Sequence, residues 1–149
     1  MTGEVLVVCG NCGGVNRIPR ARSPMNAKCG KCGHALFAGH PQDVEGVIFD
    51  RHLSRSTLPV LVDIWAPWCG PCRMMGPAYE AAAAELEPDL QLVKLNSDTE
   101  QAIASRLGIR SIPTMLLFHG GQEIDRTSGA LSASQIVSWV RDRLLSVSA

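Results

Sequence analysis

The order of apolar and polar residues divides the chain near residue 38. Before that point the longest apolar run is the four-residue stretch "VLVV", and glycine and cysteine punctuate the rest. After it, strand-like and helix-like segments alternate. "GVIFDRHLSRS" carries Phe49 and Leu53 at helical spacing. "PVLVDIWA" is a nearly continuous apolar run, as expected of a strand covered on both faces. A helix is predicted from about Pro71 to Glu87, with Met75, Tyr79, Ala82 and Leu86 on one face. "LQLVKLN" reads as a strand. "SDTEQAIASRLG" reads as a helix with Asp98 as N-cap, Gln101 three residues later and Gly108 as its stop. "TMLLFHGGQEIDRTS" reads as a hairpin turning at Gly120-Gly121, and "SASQIVSWVRDRLL" as an amphipathic helix with Ser132 and Gln135 as a capping box. The order βα, βαβ, α, ββα predicts an α/β fold, a mixed sheet with helices on both faces. "FAGHPQD" reads as a linker.

Three residues break this pattern. Asp63 lies inside the apolar strand, where a buried carboxylate is costly unless protonated or partnered. Its nearness to a cysteine pair favours a chemical role over a wet strand end. Pro77 falls within the predicted helix and is expected to kink it. Pro113 immediately precedes a strand, and composition alone predicts the common trans bond.

Composition sharpens the division. Net charge is zero, but residues 1–35 carry five bases and one acid, net +4, against net −4 for the remainder. Two modules follow, 1–38 and 39–149. The balanced total indicates no nucleic-acid partner, and the first module has no aromatic residue before Phe37 to stack on a base. No apolar run approaches the roughly 18 residues needed to cross a membrane, so no membrane partner is expected. "MTGEVLVVCG" lacks a basic start and a long apolar core, which predicts a cytoplasmic, reducing location. Paired cysteines there serve metals or catalysis more often than structural disulfides.

All six cysteines fall in C-x-x-C pairs. Cys9/Cys12 and Cys29/Cys32 are separated by sixteen residues, which fits a four-thiolate Zn2+ site, structural and one per chain. The flanking Gly10, Gly13, Gly14, Gly30 and Gly33 suit turns of positive φ whose N–H groups face the sulfurs. So short a module needs a metal in place of a core. The competing reading is two redox pairs or four free thiols; His34 reads as a neighbour of the site rather than a ligand. The third pair, Cys69-Gly70-Pro71-Cys72, has no partner pair and sits where a strand meets a helix. Pro71 suits the first helical turn, and Cys69 would occupy the positive end of the helix dipole, which favours thiolate. Trp65 and Trp68 could form an apolar collar around it.

"WAPWCGPCR", the aspartate on the preceding strand, "KLN", "GIRSIPT", "GG" and the late "GA" together resemble the thioredoxin family over the whole second module. The first module, followed by "GHALF", is similar to the zinc ribbon of the bacterial class called thioredoxin 2. The resemblance implies a protein disulfide reductase. Cys69 would be the exposed nucleophile and Cys72 the buried resolving thiol, cycling through a redox-active Cys69–Cys72 disulfide. Asp63 would be the acid–base group beneath Cys72, with Lys94 as its ionic neighbour. Pro113 would be cis, facing the pair. Trp68, Gly70, Pro71, Ile112 and Gly129 would border the substrate, with Ile112 offering its backbone to an extended strand. Arg73 stands where lysine is usual, and Ile64 where an aromatic is common. The implied partners are disulfide-containing proteins and an NADPH-dependent flavoprotein, thioredoxin reductase; this chain itself carries no nucleotide-binding glycine motif. Two rival readings are a disulfide oxidase or isomerase, and a zinc-ribbon adaptor or holdase.

Overall fold

The structure is a computed structural model that describes residues 3–148; Met1, Thr2 and Ala149, at the outer ends of the two modules, lie outside it. Its first part is a two-stranded antiparallel sheet of β1 (Glu4–Val8) and β2 (Val15–Pro19), followed by a short 3₁₀ turn, Pro24–Asn26. The rest runs β3 (Gln42–Asp43), α1 (Gly46–Arg55), β4 (Val60–Trp65), α2 (Gly70–Leu86), β5 (Gln91–Asn96), α3 (Gln101–Arg106), β6 (Thr114–His119), β7 (Gln122–Ser128) and α4 (Ala133–Ser148). The five strands form one mixed sheet in the order β3-β5-β4-β6-β7. The apolar "VLVDIW" is its centre, parallel to β5 and antiparallel to β6. No described helix is long and apolar enough to cross a membrane.

Alternation along β4 separates two cores. Leu61 faces α2 and α4 and packs among Met75, Tyr79, Leu86, Ile136 and Val140. Val60, Val62 and Ile64 face the opposite side, with Phe49 of α1 and Ile103 of α3. The same alternation puts Asp63 on the α2 face, between Leu61 and Trp65. It also puts Lys94, the residue paired with Asp63 across the ladder, on that face beside Leu92. The buried Tyr79 hydroxyl lies 3.0 Å from the Leu61 carbonyl and 2.9 Å from that of Val93, which ties α2 to both central strands.

Several predicted details change. Part of the apparent linker is strand: Gln42 and Asp43 pair with Val93 and Lys94 at the sheet edge, too short a segment to show a period. Asp98 does not cap α3; Glu100 holds that position without a side-chain bond. As expected, α2 runs across Pro77, from Gly70 to Leu86. The hairpin turn at Gly120-Gly121 is present, both with positive φ, and so is the reciprocal Ser132–Gln135 box. Two X-Pro bonds are cis, Ile112-Pro113 and Glu87-Pro88.

The ribbon sheet is fixed to the rest of the chain by directional bonds. Leu6 exchanges bonds with Thr57: its N–H donates to Thr57 Oγ1 at 2.8 Å and its carbonyl accepts the Thr57 N–H at 3.0 Å. Buried Gln91, the first residue of β5, donates from Nε2 to the Val8 carbonyl at 2.8 Å. Arg51 Nε donates to the Gly13 carbonyl at 2.6 Å. Among the described residues no ion pair joins the ribbon to the rest; its one pair, Arg17–Glu4, is internal. The opposite net charges of the two parts therefore do not provide the contact. Scattering at low salt and near 1 M salt, where the screening length is about 3 Å, is expected to give one radius of gyration. Expansion at high salt would mean that charge holds the ribbon. Gln91→Leu, which strips the Val8 carbonyl of its buried donor, is expected to lower unfolding free energy by about 1–3 kcal/mol in denaturant titration.

Candidate active site and metal centre

The turn from β4 into α2 brings the first site together. Cys69 is the N-cap of α2, and its sulfur accepts the backbone N–H of Cys72 at 3.2 Å. Pro71, in the first turn, has no N–H to leave unpaired there. The two cysteines are joined as a disulfide. Cys69 Sγ lies 3.8 Å from the Ile112 carbonyl, so the loop holding cis Pro113 faces the pair. Ala66, Trp65 and Ile112 pack around both sulfurs.

Exposure does not separate the two cysteines as the resemblance implied: each is 4% exposed. In the disulfide the neighbouring apolar side chains cover both sulfurs. What separates them is polarity: Cys69 receives a backbone N–H at the helix start, and the Cys72 sulfur receives none among the described residues. Of the two flanking tryptophans, Trp68 is 67% exposed while Trp65 is partly buried, so the collar has one open wall and one packed one. Trp68 donates from Nε1 to Asp98 Oδ2 at 2.9 Å. The aspartate expected to cap a helix thus orients the exposed indole instead, a role that no local sequence signal marks.

Asp63 is 2% exposed, and its Oδ1 has no hydrogen-bond partner among the described residues. Burial raises its pKa to about 7; the Lys94 charge opposes the rise and Asp43 adds to it. Lys94 makes no salt bridge with Asp63. Its Nζ instead sits 4.3 Å from the centroid of the Trp65 ring, a cation–π contact. Gly129, with φ of +97°, donates its N–H to the Pro113 carbonyl at 2.9 Å. A Cβ at Gly129 would meet nothing within 4 Å, so the space beside it is open.

The second site is in the ribbon. The Sγ atoms of Cys9, Cys12, Cys29 and Cys32 all lie within 4.8 Å of one another, with Cys9–Cys32 at 3.7 Å and Cys12–Cys29 at 3.6 Å. Metal–sulfur bonds of about 2.3 Å in a tetrahedron put sulfurs about 3.8 Å apart, so the residues fit such an ion. The two turns are copies. Gly13 and Gly33 bond back to the Cys9 and Cys29 carbonyls at 2.9 and 2.8 Å, both with positive φ. Gly10, Gly14 and Gly30 do not have positive φ; Gly14 is needed for closeness, since a Cβ there would lie 3.2 Å from Cys12 Sγ. N–H groups of Asn11, Gly14 and Lys31 point at the sulfurs of Cys9, Cys12 and Cys29 at 3.3–3.4 Å. His34 contributes its backbone carbonyl to the Cys29 N–H and is not among the clustered donors.

The chain is similar to known proteins over both parts. The family model described as Thioredoxin matches residues 41–142, and the zinc-ribbon model described as Thioredoxin 2, N-terminal, matches residues 8–34. Thioredoxin C-3 of Corynebacterium nephridii is 35% identical over 140 residues, 94% of this chain and 96% of that protein, an alignment long enough to reach into the ribbon. Thioredoxin of Porphyra purpurea is 47% identical over 90 residues, 60% of this chain and 84% of the relative. Among solved structures, a mutant thioredoxin from Halobacterium salinarum NRC-1 superposes with a TM-score of 0.64 at 30% identity, covering 72% of this chain and 93% of that one.

The burial of Asp63 fixes a pH dependence. Between its unfolded value of 3.8 and its folded value of about 7, the native state binds more protons than the unfolded chain. Stability from this group is therefore full below the unfolded value and is lost as pH rises to about 7. Glu87 is raised to about 7 by burial as well and titrates in the same window, so the difference between proteins isolates Asp63. Asp63→Asn is expected to be more stable than the parent above pH 7, by an amount on the order of a few kcal/mol, with the gap closing toward pH 4. Denaturant midpoints across pH check this; a variant less stable at pH 8 would make Asp63 a structural partner.

Proposed function

The chain belongs to the thioredoxin family and carries the thioredoxin 2 zinc ribbon, and on that premise we propose that it reduces disulfides of cytosolic proteins with electrons from an NADPH-dependent thioredoxin reductase. It is a thiol-disulfide oxidoreductase. The observation that carries the finer reading is the start of α2, where one sulfur of the Cys69–Cys72 pair accepts a backbone N–H and the other accepts none among the described residues. That asymmetry favours negative charge on Cys69 in the reduced pair.

The reaction then runs in two exchanges. Cys69 thiolate attacks one sulfur of the target disulfide; a Cys69–target mixed disulfide forms and the other target sulfur leaves as thiolate. Cys72, its proton passed to the Asp63 carboxylate, attacks Cys69 Sγ and releases the second target thiolate. Two electrons move from the cysteine pair to the target, and the reductase restores the pair. Asp63 suits the proton step because burial poises it near neutrality, and Lys94 restrains that rise. Trp68, Gly70, Pro71, Ile112, Pro113 and Gly129 form the rim that receives an extended substrate segment, with Gly129 leaving the rim open.

Zn2+ is the ion that the four thiolates suit, one per chain, held by Cys9, Cys12, Cys29 and Cys32. When bound it offsets their charge and holds the two turns together. Four free thiols kept as ligands suit a reducing compartment, which supports the cytoplasmic location. We set the module boundary at 38/39; the start of the thioredoxin match at residue 41 supports it.

Three experiments test this reading. Cys72→Ser is expected to accumulate adducts with substrate proteins that reductant dissolves, whereas Cys69→Ser forms few; the reverse would exchange the roles. Asp63→Asn is expected to slow turnover of a disulfide substrate at pH 7 by about tenfold or more. Metal analysis is expected to find one zinc per chain, retained by both active-site variants and lost when any ribbon cysteine is replaced. Protein prepared anaerobically without metal would refute the zinc assignment.

A further inference from the structure

The ribbon carries a second surface that the redox site does not use. In the β1–β2 ladder, Leu6 directs both its N–H and its carbonyl away from β2, to Thr57. Its ladder partner Arg17 therefore sits in a non-bonded pair, and its own N–H and carbonyl point away from β1. They have no hydrogen-bond partner among the described residues, so the outer edge of β2 is open at Arg17, while at Pro19 the carbonyl accepts the Arg22 N–H at 3.0 Å. A groove of about 780 Å³ runs beside it. It is lined by apolar Ile18, Ala27 and Leu36 and by basic Arg17, Arg22 and Lys28. Asn16, also in the lining, accepts the Gly30 N–H with its Oδ1 at 2.9 Å. Arg17 pairs with Glu4 at 3.7 Å; the side chains of Arg22 and Lys28 make no salt bridge among the described residues, although Asp89 lines a neighbouring depression with Arg22.

We propose that this edge and groove form a docking site for an extended acidic segment of the protein being reduced, taken up as a third strand on β2. The occupant follows from the surface. Unpaired backbone groups on a strand edge fit an extended peptide. Arg22 and Lys28, which make no salt bridge among the described residues, favour negative charge, and alternate side chains meet the apolar lining. A nucleic acid suits the groove less, because no aromatic side chain lines it to stack on a base. The site also lies apart from the chemistry. The ribbon is bonded at residues 57 and 91, next to the strand starts, whereas Cys69 follows the far end of β4. A six-residue strand spans roughly 20 Å, so a substrate must be held at two separated points. Such holding raises the effective concentration of its disulfide at Cys69 without altering the chemical step. This proposal rests on protein substrates for the redox pair, but its binding test is independent of turnover.

The probe is a short labelled peptide of alternating glutamate and valine, titrated by fluorescence anisotropy into the zinc-loaded full chain. Binding is expected in both redox states and should weaken as salt rises. Arg22→Glu/Lys28→Glu, which leaves the Arg17–Glu4 pair in place, is expected to weaken it about tenfold. The same peptide N-methylated at alternate amides, which cannot pair as a strand, is expected not to bind. Appended to a model disulfide substrate, the peptide should lower KM with kcat unchanged, and the double variant should remove that advantage while reducing the untagged substrate normally. Absence of binding, binding indifferent to both charge reversal and N-methylation, or tighter charge-dependent binding of a single-stranded oligonucleotide would overturn the proposal. If untagged turnover failed while peptide binding held, the redox reading would fall and the docking site would stand.

Discussion

The backbone N–H that Cys72 donates to the Cys69 sulfur is the contact on which the chemistry depends. It exists because a buried strand ends at residue 65 and a helix begins at residue 70, with only four residues to turn in. That turn leaves Cys69 as the cap and puts Cys72 one turn inside. Pro71 fits because the first helical turn has no use for its missing donor. The remaining features keep this junction in place: Tyr79 ties α2 to the central strands, and the Pro113 loop closes over the sulfurs from β6. Asp63, two residues before the end of β4, is held on the same face as α2 by the pleat alone. An ionised carboxylate there is costly, and its displaced pKa is the measure of that cost.

The ribbon solves a different problem. Its sheet has two short strands and a core of few residues, among them two of the clustered cysteines. Its geometry is set by two copied turns whose amide groups face the sulfurs, an arrangement suited to holding anionic ligands around one cation. Its attachment is equally specific. Paired bonds at Leu6 and Thr57 and the buried Gln91 amide fix position, where screened surface charge would give only loose attraction.

Much of the fold is legible in the sequence, for identifiable reasons. The central strands are mostly apolar because both faces are covered, so β4, β5 and β6 stand out. The capping box at Ser132 and the paired glycines of the hairpin announce themselves locally. The cysteine spacing separates a four-sulfur cluster from a lone disulfide pair. What stays hidden depends on tertiary placement. The two-residue strand at Gln42 has no period to read. Asp98 carries a good capping pattern, yet its side chain reaches Trp68 instead. The cis bond at Pro113 is legible only through resemblance, and the one at Pro88 through nothing local. Charge asymmetry suggests an attraction between ribbon and sheet that the contacts do not use, because backbone complementarity leaves no trace in composition. Equal burial of Cys69 and Cys72 is likewise invisible, since it arises from packing by Trp65, Ala66 and Ile112.

The central claim is that the helix start makes Cys69, and not Cys72, the sulfur that bears negative charge. The most direct measurement is timed alkylation of the fully reduced, zinc-loaded protein across pH, with the modified residue identified by mass spectrometry. The account predicts that Cys69 is modified first, and at a pH where an ordinary thiol is almost entirely protonated. Modification of Cys72 first, or of both together only in the alkaline range, would contradict it.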